Sequence, residues 1–154
     1  MNIQSKHLGG CLCGKVRYET YGFPERSGVC HCRYCQLRTG SSLGISIYFK
    51  EKNVKIILGE LNEYSYETES SRVATIKFCS NCGSSLFWQV GSFKGMTGVA
   101  GGSFDPPTFW YEINREVFCR SGAPFISSNI KEKHQTHPDY QPINEESNSL
   151  KGES

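Results

Sequence analysis

The sequence predicts an all-β protein, and three observations lead to this prediction. Several segments alternate polar and apolar residues with a period of two, which is typical of strands that bury one face. Further apolar runs are short, rich in aromatic or β-branched residues, and separated by Gly, Asn, Ser or Pro. Only one short segment is suited to a helix, so the fold should consist mainly of strands.

The expected elements follow from these patterns. The alternating segments are residues 15–20, 45–49, 62–67 and 72–78, and the short apolar runs are residues 54–58, 85–90, 96–100 and 109–113. Residues 33–39 should form one or two helical turns, because this segment has no Gly or Pro and is followed by Gly40.

The chain has 154 residues, which is enough for one domain with its own core. We expect the domain to cover residues 1–133. Residues 134–154 are polar and offer little apolar surface to offset the entropy of ordering, so they should form a flexible C-terminal tail.

Charge and hydropathy exclude two classes of partner. The formal net charge is only +2 and no basic run appears, so no nucleic acid partner is expected. The N-terminus lacks the apolar stretch of a secretory signal, and no segment approaches the roughly 20 apolar residues that span a membrane. We therefore expect a cytoplasmic protein that does not bind membranes.

Eight cysteines in a reducing compartment indicate metal binding or thiol chemistry more than disulfides. Seven of them lie in three short motifs, whereas scattered core cysteines would not cluster. The motifs are CxC at Cys11 and Cys13, CxCxxC at Cys30, Cys32 and Cys35, and CxxCG at Cys79 and Cys82.

The first and last motifs can complete one closed zinc site. Two residues apart on a strand, Cys11 and Cys13 point to the same face, while Cys79 and Cys82 lie in a tight turn after a predicted strand. Four thiolates at about 2.3 Å form the tetrahedron of a structural zinc site. This pairing would join distant parts of the chain.

The middle motif supplies three thiols without an evident fourth ligand nearby. Three protein ligands and one open position are typical of catalytic zinc, and three soft thiolates favour a further sulfur ligand, which indicates a thiol substrate. Cys119 is the candidate to close this site, but the apolar pattern around it favours a core residue. Two alternatives stay open, namely that both sites are structural or that the thiols are free or disulfide-bonded.

Four segments extend the pattern beyond the cysteines. They are GGCLCGKVRYE at 9–19, CHCRYCQLRTGS at 30–41, FCSNCGSSLFW at 78–88 and AGGSFDPP at 100–107. Together they resemble the glutathione-dependent formaldehyde-activating enzyme family. The resemblance implies a tent-like fold of packed antiparallel sheets braced by zinc. It also implies two Zn²⁺ per chain, a structural ion at Cys11, Cys13, Cys79 and Cys82 and a catalytic ion at Cys30, Cys32 and Cys35.

The activity implied by the resemblance is that of a carbon-sulfur lyase. Such an enzyme adds the thiol of glutathione to a small aldehyde, formaldehyde, and forms S-hydroxymethylglutathione. His31, Tyr34 or a water would supply the proton for the new hydroxyl.

Glutathione carries carboxylates, and Arg17, Arg33 or Arg38 would be the cations to bind them, unless these side chains are merely solvated. Two other functions remain as alternatives. One is a zinc-braced binding module, as in centromere protein V, and the other is a thiol-based redox sensor.

Overall fold

The computed structural model describes residues 5–145, and these residues form eleven strands, one α helix and three short 3₁₀ turns. The strands are β1 (Lys6–Gly10), β2 (Arg17–Tyr21), β3 (Arg26–Cys30), β4 (Gly44–Lys50), β5 (Val54–Leu58), β6 (Leu61–Glu67), β7 (Val73–Cys79), β8 (Ser85–Val90), β9 (Met96–Ala100), β10 (Arg115–Val117) and β11 (Glu132–Lys133), and the helix is α1 (Arg33–Thr39). The all-β prediction is confirmed.

The strands form two sheets. One is antiparallel and has the order β1-β2-β5, and the other has eight strands in the order β11-β10-β3-β4-β9-β8-β7-β6. Neighbours in the larger sheet are antiparallel except at one edge, where β10 runs parallel to both β3 and β11. Among residues 5–145, no helix is long and apolar enough to cross a membrane.

The core lies where the two sheets face each other. Tyr18 on β2 is fully buried, and its ring centroid lies 5.0 Å from that of Phe87 on β8. Ile47 and Phe49 on β4 are equally buried. Their spacing of two residues places both on the same face of the strand, as the alternating pattern of this segment predicted.

The bounds of β5, β8, β9 and α1 agree with the predicted segments. The prediction of a strand at residues 109–113 was wrong, since these residues form an irregular segment. Trp110 and Tyr111 pack against the core without pairing to a strand, whereas Phe109 is exposed. The Trp110 ring stacks on His7 with centroids 3.5 Å apart, and the Tyr111 hydroxyl donates a hydrogen bond of 2.8 Å to the Gly101 carbonyl.

Helix α1 follows directly from β3 and is anchored at both ends. The Cys32 sulfur caps its N-terminus by accepting a hydrogen bond from the Cys35 amide at 3.4 Å. Gly40 ends the helix in the left-handed conformation, with φ of 66°, which glycine adopts without strain. The turn of chain between β3 and α1 thereby places three cysteines close together.

The segment after β11 hydrogen-bonds to the eight-stranded sheet. The amide of Cys119 donates to the carbonyl of His134 at 3.0 Å, and the amides of Ile143 and Asn144 donate to the carbonyl of Glu69. Residues 134–145 thus run from β10 to the turn between β6 and β7. The domain boundary at residue 133 and the flexibility of the tail stay predictions, and residues 146–154 lie outside the described part of the chain.

Candidate metal centre and adjoining pocket

The first cysteine cluster lies where the two sheets meet. It consists of Cys11 and Cys13, which follow β1, together with Cys79 at the end of β7 and Cys82 in the turn after it, and we call it the four-cysteine cluster. Its four sulfur atoms all lie within 4.8 Å of one another, with 3.5 Å between Cys11 and Cys13 and 3.8 Å between Cys13 and Cys79.

Hydrogen bonds lower the pKa of Cys13 and Cys82 and favour the thiolate, the form that binds a metal, whereas the pKa of Cys79 is raised. The Val16 amide donates to the Cys11 sulfur at 3.2 Å, and the Cys82 amide donates to the Cys79 sulfur at 3.5 Å. The Ser84 hydroxyl lies 3.2 Å from the Cys82 sulfur and is the main cause that lowers the pKa of this thiol to about 5. Four sulfurs in this arrangement fit a closed tetrahedral site.

The second cluster, which we call the three-cysteine cluster, is built from six consecutive residues. Cys30 ends β3, Cys32 caps α1, and Cys35 lies in the first turn of the helix and is buried. The three sulfur atoms lie within 4.8 Å of one another. Hydrogen bonds from Cys30 and Cys32 hold the pKa of the Cys35 thiol well below its usual range, whereas the pKa values of Cys30 and Cys32 are raised, so Cys35 is the first of the three to carry a negative charge.

Arg38 places a positive charge beside these sulfurs. Its Nη2 lies 3.7 Å from the Cys35 sulfur, and its guanidinium carbon lies 3.6 Å from the centroid of the Trp88 ring. Gly44 on β4 makes the approach possible. A Cβ at this position would lie 2.8 Å from Arg38 Nη2 and 3.2 Å from the Cys35 Cβ, which is too close for a larger residue without movement.

The three-cysteine cluster opens on a cavity of about 220 Å³ on one face of the eight-stranded sheet. Tyr34, Tyr48, Tyr66 and Trp88 contribute aromatic walls. Among the described residues that line the cavity are six arginines, which are Arg26, Arg33, Arg38, Arg72, Arg115 and Arg120, but only two acids, which are Glu69 and Asp139. This pocket is strongly basic although the whole chain is nearly neutral, and it therefore favours an anionic ligand.

Of the other residues that the sequence offered as ligand or proton donor, the structure places one in the pocket and two outside it. Cys119 lies outside the three-cysteine cluster and groups instead with His31 and Glu116. The His31 ring is buried, with Nε2 at 2.5 Å from the Glu116 carboxylate, and it does not line the pocket. Tyr34 does line the pocket, and its hydroxyl donates to the Glu69 carboxylate at 2.8 Å.

The three arginines named from the sequence have different surroundings. Arg17 is engaged by Asp105 through two hydrogen bonds and lies outside the pocket, whereas Arg33 and Arg38 line it. Sequence reasoning missed Arg26, at the start of β3. The signal was present, since Arg26, Gly28 and Cys30 alternate along RSGVC, but Ser27 and Gly28 interrupt the apolar pattern by which a strand would be predicted.

Comparisons with known proteins agree with this architecture. The family described as glutathione-dependent formaldehyde-activating enzyme matches residues 6–121, so the chain belongs to this family. Among solved structures, the crystal structure of a Rhodobacter sphaeroides protein is similar, with a TM-score of 0.52 and 23% sequence identity. The match covers 69% of this chain and 96% of that chain, and it shows a shared fold. Family membership supports a function related to glutathione and formaldehyde.

Proposed function

We propose that this protein is a zinc-dependent carbon-sulfur lyase that adds a glutathione-type thiol to a small aldehyde reversibly. The observation that carries the proposal is the three-cysteine cluster opening on a basic pocket. The family supports glutathione and formaldehyde as the reactants. A cytoplasmic location, where thiols stay reduced, suits a chain whose eight cysteines are all free.

Both cysteine clusters fit zinc by the chemistry of their donors. In this proposal Cys11, Cys13, Cys79 and Cys82 hold a structural ion, and Cys30, Cys32 and Cys35 hold a catalytic one, which makes two Zn²⁺ per chain. Three thiolates form a soft donor set that leaves a position for another sulfur. When bound there, zinc would lower the pKa of an incoming thiol and so supply a thiolate at neutral pH.

Residues of the chain would stabilise charge, position the aldehyde and supply the proton. Arg38, held between Trp88 and Cys35, offsets negative charge at the three sulfurs. The aromatic walls exclude water and hold the aldehyde beside the sulfur, which raises the rate by positioning. Of the two side chains that the sequence offered as proton donors, we assign the role to Tyr34, because Tyr34 lines the pocket and His31 does not.

The proposal is tested by adding zinc-loaded protein to glutathione and ¹³C-labelled formaldehyde. Exchange spectroscopy by NMR measures how fast S-hydroxymethylglutathione forms and breaks down. We expect the protein to raise this exchange rate in proportion to its concentration. When S-methylglutathione replaces glutathione, no adduct and no exchange should be detected, because its sulfur cannot add to the aldehyde.

Cys32→Ser provides the matched protein control, since it removes one sulfur from the three-cysteine cluster and leaves the four-cysteine cluster intact. The variant should not accelerate exchange. If the folded, zinc-loaded wild-type protein leaves the exchange rate at its uncatalysed value, the proposed function is wrong.

A further inference from the structure

The strand that carries Cys30 also carries a basic side chain on the same face. In β3, Arg26, Gly28 and Cys30 share one face because side chains alternate along a strand, and all three line the pocket. Arg26 and Cys30 are four residues apart, which corresponds to about 13 Å between their Cα atoms. Arg26 therefore lies at the opposite end of the pocket floor from the three-cysteine cluster.

The floor between these two ends is open. Gly28 has no side chain, and its partner in the neighbouring strand β4 is Ser46, which is small and also lines the pocket. At the far end, Arg26 pairs in register with Tyr48. A ligand whose sulfur lies at Cys30 can thus lie flat over Gly28 and Ser46 and end at Arg26.

Arg26 offers an unused hydrogen-bond donor. Its guanidinium carbon lies 4.6 Å from the centroid of the Phe93 ring, and its Nη1 is buried with no hydrogen-bond partner within residues 5–145. A buried donor on a charged group is costly unless an acceptor reaches it. A planar guanidinium held against an aromatic ring matches a carboxylate, which it can bind through two parallel hydrogen bonds.

We propose that Arg26 anchors a carboxylate of the thiol substrate at the end of the pocket opposite the three-cysteine cluster, and so selects peptide thiols that carry this carboxylate over short thiols that lack it. This inference rests on the proposed function. The sulfur of glutathione lies on its central residue, so roughly 7–10 Å of extended chain separates it from a terminal carboxylate, and the long Arg26 side chain covers part of the remaining distance to Cys30. A thiol of two or three carbons is too short to use both ends of the floor.

The test measures thiol affinity rather than turnover. Cobalt-substituted protein is titrated with glutathione and with 2-mercaptoethanol, and binding is followed through the thiolate charge-transfer bands. For Arg26→Gln we expect glutathione affinity to fall about tenfold to a hundredfold, which corresponds to the loss of one charge-assisted pair. Affinity for 2-mercaptoethanol, which has no carboxylate, should not change.

Two further variants control for charge and geometry. Lys50→Gln removes one positive charge from β4 outside the pocket, where Lys50 pairs with Glu25, and it should leave both affinities unchanged. Arg26→Lys keeps the charge but loses the planar fork, so its glutathione affinity should lie between those of the wild type and Arg26→Gln.

The outcomes distinguish this inference from the proposed function. If Arg26→Gln binds both thiols less tightly by the same factor, Arg26 only supports the fold and the inference is wrong. Unchanged glutathione affinity also overturns the inference but leaves the proposed function standing. If no thiol alters the spectrum of the wild-type protein, both fail.

Two dipeptide thiols then identify the anchored carboxylate. γ-Glutamylcysteine keeps the glutamyl carboxylate, whereas cysteinylglycine keeps that of glycine. The dipeptide that the wild type binds more tightly than Arg26→Gln does carries the carboxylate bound by Arg26. If the wild type and Arg26→Gln bind each dipeptide with the same affinity, no single carboxylate is anchored by Arg26 and the inference is overturned.

Discussion

The two cysteine clusters contain similar ligands but differ in how the fold assembles them. The four-cysteine cluster joins residues from two sheets, and the contact between Cys13 and Cys79 closes a separation of 66 residues. The three-cysteine cluster comes from one strand end and the first turn of one helix. A metal bound by the first cluster restricts the unfolded chain over a long loop, while a metal bound by the second does so only locally.

The surroundings of the clusters differ as well. Backbone amides and Ser84 surround the four-cysteine cluster, which lies apart from the basic pocket. The three-cysteine cluster instead forms part of the pocket wall. This difference supports the proposal that the four-cysteine cluster holds a structural ion at the joint between the sheets, whereas the three-cysteine cluster leaves a position for a thiol.

The largest expected effect comes from breaking the four-cysteine cluster. Cys79→Ser removes one ligand of a closed site and should cost several kcal/mol of folding free energy, lowering Tm by roughly 10–20 °C for a chain of this size. Cys32→Ser should lower Tm by about 3 °C or less while it abolishes the response to glutathione. Thermal unfolding followed by circular dichroism makes the comparison, and equal losses of Tm in the two variants would show that both clusters are structural.

An intermediate effect should follow graded removal of metal. Elemental analysis of protein prepared with zinc under reducing conditions should give two zinc ions per chain. A mild chelator should remove the ion at Cys30, Cys32 and Cys35 first, because three ligands hold it less firmly than four, and the circular dichroism spectrum should persist.

The same experiment can contradict the proposed difference between the two clusters. A reproducible single zinc ion before any chelator is added would contradict two sites. Release of both ions together with unfolding would contradict the difference in ligand number on which the comparison depends.

The smallest expected effect is that of Cys119→Ser. The Cys119 sulfur hydrogen-bonds to the Glu116 carbonyl at 3.7 Å and lies outside the three-cysteine cluster. The variant should keep the cobalt spectrum and its response to glutathione, with Tm within about 2 °C of the wild type. If the substitution creates a glutathione response that the wild type lacks, Cys119 is the fourth ligand and the second site is closed.

Local sequence determined much of the fold. The bounds of α1 follow from a segment free of Gly and Pro, a capping residue and Gly40, all within ten residues of one another. Likewise, the separation of seven cysteines into groups of four and three follows from short motifs, and the structure has the same two groups. The bounds of α1 and the three motifs depend on residues close in sequence, whereas joining the first motif to the last, across 66 residues, followed from the four ligands that a closed tetrahedron needs.

Tertiary structure decided which polar side chains face the pocket. The partner of His31 is Glu116, 85 residues away, and that of Arg17 is Asp105, 88 residues away, so neither side chain serves the pocket as the sequence suggested. Arg26 lines the pocket from β3, which pairs through Gly28 with Arg115 of the distant strand β10. Contacts between residues so far apart depend on how the sheets pack, and no local pattern records them.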